Sequence, residues 1–276
     1  MGVRRAPPRT EGIHPRSAAW ARAGLDPWIR ESLRDHALAV RAARSAAGAI
    51  SCASRLAAAT WLAGGRWIFA GAGTSGRLAV QEAAECLPTF GLSRARVRGM
   101  IAGGNRALVR PVEGAEDDRR RGVTDLAHLR PGPWDLVVGV SASGKTPYVA
   151  GVLDRARRSG ARTVLVTCGE GAGVPRADVR VAMDPGPEVV AGSTRLKAGT
   201  ACKIALNHIT TGAMLLAGRV REGRMTHLRT ASAKLRERAV RIVADLGGVT
   251  ASRARKMLDA SNWDVALALR GVDRRG

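Results

Sequence analysis

From Asp26 to Leu62 apolar residues recur at steps of three and four: Ile29, Leu33, Ala37, Val40 and Ala43, then Ile50, Leu56 and Ala59. The spacing predicts two helices, packed on a sheet or on a second subunit. Gly64-Gly65 ends the second of them. The rhythm then changes. Short apolar runs at 67–71, 98–102, 135–140, 162–168 and 179–183 read as strands, and helical stretches fill most of the gaps. Apolar strands that alternate with helices predict a parallel sheet covered on both faces. A long helix is expected after Gly192, to about Leu216, and another over 228–246, ending at Gly247-Gly248. Two short helices follow over 249–271, with Leu258, Val265 and Leu267 apolar. The expected class is α/β: a doubly wound, five-stranded parallel sheet with N-terminal helices and a small C-terminal helical tail. Residues 1–26, rich in Pro and Arg, read as an extended basic segment. Residues 27–226 read as the sheet domain with its helical pair, and 227–276 as a helical C-terminal region.

Composition narrows the classes. Aromatic residues make up only 3% of the chain, so Ala, Val, Leu and Gly must do the packing. The 45 Lys+Arg against 23 Asp+Glu give a net charge of +22, nearly all from Arg. That balance is either an Arg-biased solvated surface or an attraction for anions. Zinc spacing, RNP-like aromatics and basic heptads are all missing, so no specific nucleic-acid partner is expected. Cys52, Cys86, Cys168 and Cys202 lie far apart. They read as small buried hydrophobes in a reducing cytoplasm, and neither a metal nor another cofactor is expected. No apolar run is long enough to cross a bilayer, so no membrane partner is expected. Arg4-Arg5 is not followed by an apolar stretch and is not an export signal.

Two loops could hold an anion. The strand 67–71 runs into Gly71-Ala72-Gly73-Thr74-Ser75-Gly76-Arg77 and then a helical segment. Glycines let the main chain approach a ligand, and the first free N–H groups of the helix point at it. Thr74 and Ser75 can cap that helix or donate hydroxyls to phosphate oxygens. The second loop, 141–144, ends another strand. In such sheets ligands bind beyond the carboxyl ends of the strands, so both loops are expected at one crevice. Residues 139–146 also match the GxxxxGK[ST] loop of NTPases. Pro147 follows at once, and no later strand ends in an acidic pair able to hold magnesium, so that reading stays an alternative.

Longer strings carry more. GAGTSGRLAVQEAAECLPTFG (71–91), IAGGNRALVRPVEGAED (101–117), VVGVSASGKTPYVAGVL (137–153) and GPEVVAGSTRLKAGTACKIALNHITTGAM (186–214) occur in that order. Together they resemble the N-acetylmuramic acid 6-phosphate etherases, a branch of the sugar isomerase (SIS) domain family. The resemblance covers roughly 9–218 well and the rest weakly. It implies a lyase that removes the D-lactyl ether from a 6-phosphosugar, working as a cytoplasmic homodimer. It also implies that Glu85 and Glu116 are the acid/base pair; among their neighbours Glu113 reads as a rival to Glu116, Glu82 as structural and Asp117 as a cap. Gly73, Thr74, Ser75, Ser141, Ser143 and Thr146 would bind substrate, Thr146 also standing as N-cap before Pro147. Glu188, Ser193 and Lys197 would join them at the start of the long helix. Leu87, Pro88 and Phe90 would bury Glu85 and raise its pKa. An alternative from another class is a sugar-phosphate-sensing regulator, as in the glucokinase regulatory proteins, which needs no glutamate pair.

The departures are specific. Ile13-His14-Pro15 stands where the family has Arg-Asn-Pro, and Lys145 replaces Arg. Gln81 and Glu82 replace Leu-Asp, and Leu87 replaces Pro. The segment 219–229 is altered, which puts dimer contacts or a site lid in question.

Overall fold

A computed structural model describes residues 11–169 and 173–273. Arg4-Arg5 and the first ten residues of the expected extended segment lie outside them. The chain runs α1 (Ser17–Arg22), α2 (Leu25–Ser45), α3 (Ala47–Leu62), β1 (Trp67–Gly71), α4 (Gly73–Phe90), β2 (Val97–Ile101), α5 (Arg106–Val109), α6 (Arg119–His128) and β3 (Leu136–Ser141). It continues with α7 (Pro147–Arg158), β4 (Arg162–Thr167), β5 (Val179–Ala182), α8 (Lys197–Leu216), β6 (Val220–Arg221), β7 (Arg224–Met225), α9 (Ala233–Gly247), α10 (Ala251–Ala260) and α11 (Val265–Asp273).

Strands β1 to β5 form one parallel sheet in the order β2-β1-β3-β4-β5. The order reverses between β1 and β3, and there the two adjacent connections leave in opposite directions and open a crevice. Both central strands are buried along their whole length. One face of the sheet packs with Trp61, Ala79, Cys86, Ala201 and Leu206 of α3, α4 and α8, the other with Tyr148, Val149, Val152 and Leu153 of α7. The Trp67 indole donates to Ala57 O at 2.9 Å, which satisfies its N–H inside that core. The close fit is made by missing side chains: a Cβ on Gly76 would stand 2.5 Å from Ile101 Cγ1, and one on Gly71 2.7 Å from Gly76 N. Helices α9, α10 and α11 bury a separate small cluster that includes Val243, Leu258 and Val265.

Three expectations are corrected, and two features are added. Residues 17–22 are helical rather than extended, because Trp20 is buried and stacks at 4.8 Å on His14. Cys52 is exposed, on the side of α3 away from Ala53, Ala57 and Trp61, while the other three cysteines are buried. Asp118, not Asp117, caps α6, accepting from Arg121 N at 2.8 Å. A short antiparallel hairpin, β6–β7, occupies the altered segment after α8. The larger apolar residues of α2 do not pack inside this subunit. Leu25, Leu33 and Val40 are 71%, 68% and 57% exposed, and the helix buries Ala39, Ala42 and Ala43 instead.

Candidate active site

The crevice is built from three loops. Gly73, at φ +51, opens α4 in the left-handed region, which costs a glycine nothing. The N-cap residue is Ala72 and no side chain caps the helix, so Thr74 and Ser75 lie within the first turn. Beside it, Ala102 N donates to Gly71 O at 3.0 Å and carries β2 into the 103–117 segment. A pocket of about 180 Å³ lies between them, lined by Gly73, Arg77, Ala102, Val112, Glu113 and Glu116. Arg77 Nε donates to Leu108 O at 3.0 Å, which ties the first loop to that segment.

The second loop is joined to the same wall, because Tyr148 N donates to Glu116 O at 2.9 Å. Thr146 is the N-cap residue of α7 with Pro147 following, as expected. Its hydroxyl does not cap the helix, however; it lies 2.8 Å from the buried Ser141 Oγ. Ser143 Oγ accepts from Lys145 N at 3.3 Å, and Gly144 turns the chain at φ +71. The turn is backed by Gly169, where a Cβ would fall 1.9 Å from Ser143 O.

The third loop, 188–197, leads into α8. Gly199, in its first turn, lies 3.7 Å (from an added Cβ) from Thr74 Cγ2, so Thr74 and the 193–194 turn are neighbours. Two residues expected to face substrate are engaged elsewhere. Glu188 is fully buried, and its carboxylate accepts from Lys197 N at 3.0 Å and Ala198 N at 2.9 Å. It caps the positive end of α8. Lys197 is buried as well, with Nζ 2.6 Å from Asp35 Oδ2 of α2 in an ion pair that lacks hydrogen-bond alignment. His14 Nε2 lies 3.4 Å from the other Asp35 oxygen. His14 Nδ1 accepts from Arg16 N at 3.2 Å, which leaves the ring proton on Nε2 to face Asp35. The scarcity of lysine marked Lys197 in the sequence, but nothing there marked Asp35.

Of the two glutamates, Glu85 differs most from expectation. Glu116 lies in the pocket wall, in a turn that precedes α6. Glu85 is exposed rather than buried against Leu87, Pro88 and Phe90. It sits twelve residues beyond Gly73, about 18 Å along the helix axis at 1.5 Å per residue. Within one subunit the pair is therefore not brought to one pocket. The buried acid on α4 is Glu82, which accepts from Thr210 Oγ1 and Asn207 Nδ2, each at 2.6 Å. Burial pushes its carboxyl above the usual range, against those hydrogen bonds and the Lys203 charge. Burial also pushes the Cys86 thiol well up, which makes it a packing residue and not a nucleophile.

Residues 51–157 match the glucokinase regulatory protein N-terminal SIS domain. A curated N-acetylmuramic acid 6-phosphate etherase of Gloeobacter violaceus is 44% identical over 261 residues, 94% of this chain and 85% of that protein. One from Alkaliphilus metalliredigens is 47% identical over 202 residues, 73% of this chain and 66% of its own length. Among solved structures, a phosphoheptose isomerase from Francisella tularensis has a TM-score of 0.50 at 15% identity, covering 68% of this chain and 95% of that one. That likeness concerns the fold alone.

Proposed function

The chain belongs to the N-acetylmuramic acid 6-phosphate etherase family, and from this premise we propose that it releases D-lactate from N-acetylmuramic acid 6-phosphate. The observation that carries the reading is the pocket at the strand-order reversal, where Glu116 meets Gly73 and, through Tyr148 N, the Ser141–Thr146 loop. The Ser/Thr loops and the free N–H groups of α4 hold the 6-phosphate. The proton on C2 of the ring-opened sugar is α to the C1 aldehyde, so a carboxylate can take it. The electrons of that C–H bond form the C2=C3 double bond as the C3–O bond breaks. A protonated carboxyl supplies the proton with which lactate leaves. Water then adds its oxygen to C3 while C2 regains a proton, the two groups exchanging roles. The products are N-acetylglucosamine 6-phosphate and D-lactate.

Glu85 reaches this chemistry in a homodimer, as the exposed group that one subunit contributes to the pocket of the other. The bare apolar stripe Leu25, Leu33 and Val40 on α2 supports a second copy, since a lone subunit leaves it in water. An enzyme-coupled D-lactate assay tests the proposal. Glu85→Gln and Glu116→Gln should each cut turnover by about 10²–10⁴-fold while phosphosugar still binds. Undiminished turnover in both variants would reject the pair. Binding without D-lactate release by the unaltered chain would favour the sensing role that the regulatory-domain match keeps in view.

A further inference from the structure

A cavity of about 500 Å³ lies where the sheet domain meets the helical tail, away from the crevice. Its walls include Leu87 and Gly91 at the end of α4, Arg219, His227 and Arg229 after α8, and Trp263 between α10 and α11. The altered segment 219–229 supplies its cationic side. Arg219 Nη1 donates to Phe90 O at 2.6 Å and its guanidinium lies 5.2 Å from the Trp61 ring centre. Among the described residues no carboxylate oxygen pairs with Arg219 or Arg229, although both line the same space. Thr226 Oγ1 donates to Gly218 O at 3.3 Å, so it accepts from His227 Nδ1 at 2.9 Å, and the other ring nitrogen is left without a described protein partner. The one acid in the lining is Asp264, whose Oδ1 already accepts from Leu267 N at 2.9 Å.

The electrostatics agree with that count. Burial, and next the charge of Arg96, press the Arg219 pKa down, with Asp264 opposing. Burial and then Arg219 press His227 down, with Arg270 adding and Asp264 opposing. The wall is short of negative charge. The backbone is also held off its easy conformations there. Asn262 and Trp263 take φ +50 and +62 in succession. Ending α10 asks for one left-handed residue, and Asn262 can supply it. A second, on a tryptophan, is strain that the helix stop does not require.

We propose that this cavity binds a small oxyanion, a phosphate or a carboxylate, between Arg219 and Arg229, with His227 and the Trp263 indole beside it. Guanidinium groups with no protein carboxylate have donors to spare for such a group, and they match its geometry. The site is independent of the proposed etherase reaction, because it shares no residue with the pocket at the crevice.

The test follows the His227 ring by NMR in the full chain, titrated with inorganic phosphate in one arm and D-lactate in the other. A saturable shift with either anion is expected, with the His227 pKa raised in the bound form, and the responding arm identifies the oxyanion class. Arg229 has an exposed side chain, and Arg229→Ala should weaken binding about tenfold without unfolding the protein. Thr146→Val, at the crevice loop, should leave the His227 response unchanged. The proposal is overturned by no saturable response to either anion, by a response that Arg229→Ala does not weaken, or by one that Thr146→Val abolishes.

Discussion

Glu82 and Glu85 are three residues apart on α4 and have opposite surroundings. The first is buried against α8, hydrogen-bonded to Thr210 and Asn207; the second is in water. Because burial raises the folded pKa of Glu82, the folded chain holds that proton more tightly than the unfolded chain. The Glu82 contribution to stability is therefore fully present below the ordinary glutamate pKa, about 4.3, and is lost as pH rises through the folded value. Glu82→Gln cannot titrate. Its melting temperature relative to the unaltered protein should climb as pH is raised from about 4 to neutrality. A difference that stays flat across that range would show that Glu82 does not carry the shift. The effect of Glu85→Gln belongs to turnover. Glu85 and Glu116 were singled out only through the family resemblance. Which acid on α4 is buried was not, because α8, over a hundred residues later, decides which side of the helix is covered.

The five strands of the parallel sheet came within one residue of expectation, because apolar runs between polar turns suffice to locate a buried parallel sheet. The long helix after Gly192 begins only at Lys197, since the 193–196 turn first brings Glu188 under its amides. The loops show a different dependence. The Ser141–Thr146 turn is shaped by Gly169, which lies one strand away, and its hydroxyls pair with each other. Gly169→Ala should force the Ser143 carbonyl to move. A displacement near 1 Å should cost on the order of a hundredfold in kcat/KM for the phosphosugar. Normal kinetics in that variant would mean that the loop adapts and does not set the phosphate geometry. At α2 the apolar period was visible, but its destination was not. Alanines fill the side that this subunit buries, and the larger residues are left outside.

For the whole molecule, that outward stripe and the separation of the two glutamates meet in one expectation. Leu33→Glu places a charge on the bare face of α2 and should shift sedimentation toward the monomer, with D-lactate release falling in step. A complementation experiment asks the same question directly. Glu85→Gln and Glu116→Gln, each inactive alone, should recover up to about a quarter of normal activity when unfolded and refolded together, because mixed dimers hold one intact site. No recovery, with mixed dimers demonstrated, would place both carboxylates in one subunit's reach and contradict the arrangement.

The order of local patterns was enough to set the α/β class, the strand positions and the loops that end at the crevice. These features depend on neighbours a few residues apart and on glycines that no other residue can replace. Burial of Lys197 on Asp35, capping of α8 by Glu188, exposure of Glu85 and the cationic cavity at the tail all depend on segments far apart in the chain. A carboxylate is spelled the same way whether it caps a helix, pairs with a buried ammonium or faces water. Only the packing of remote elements sets its partners and its solvent, and with them its chemistry.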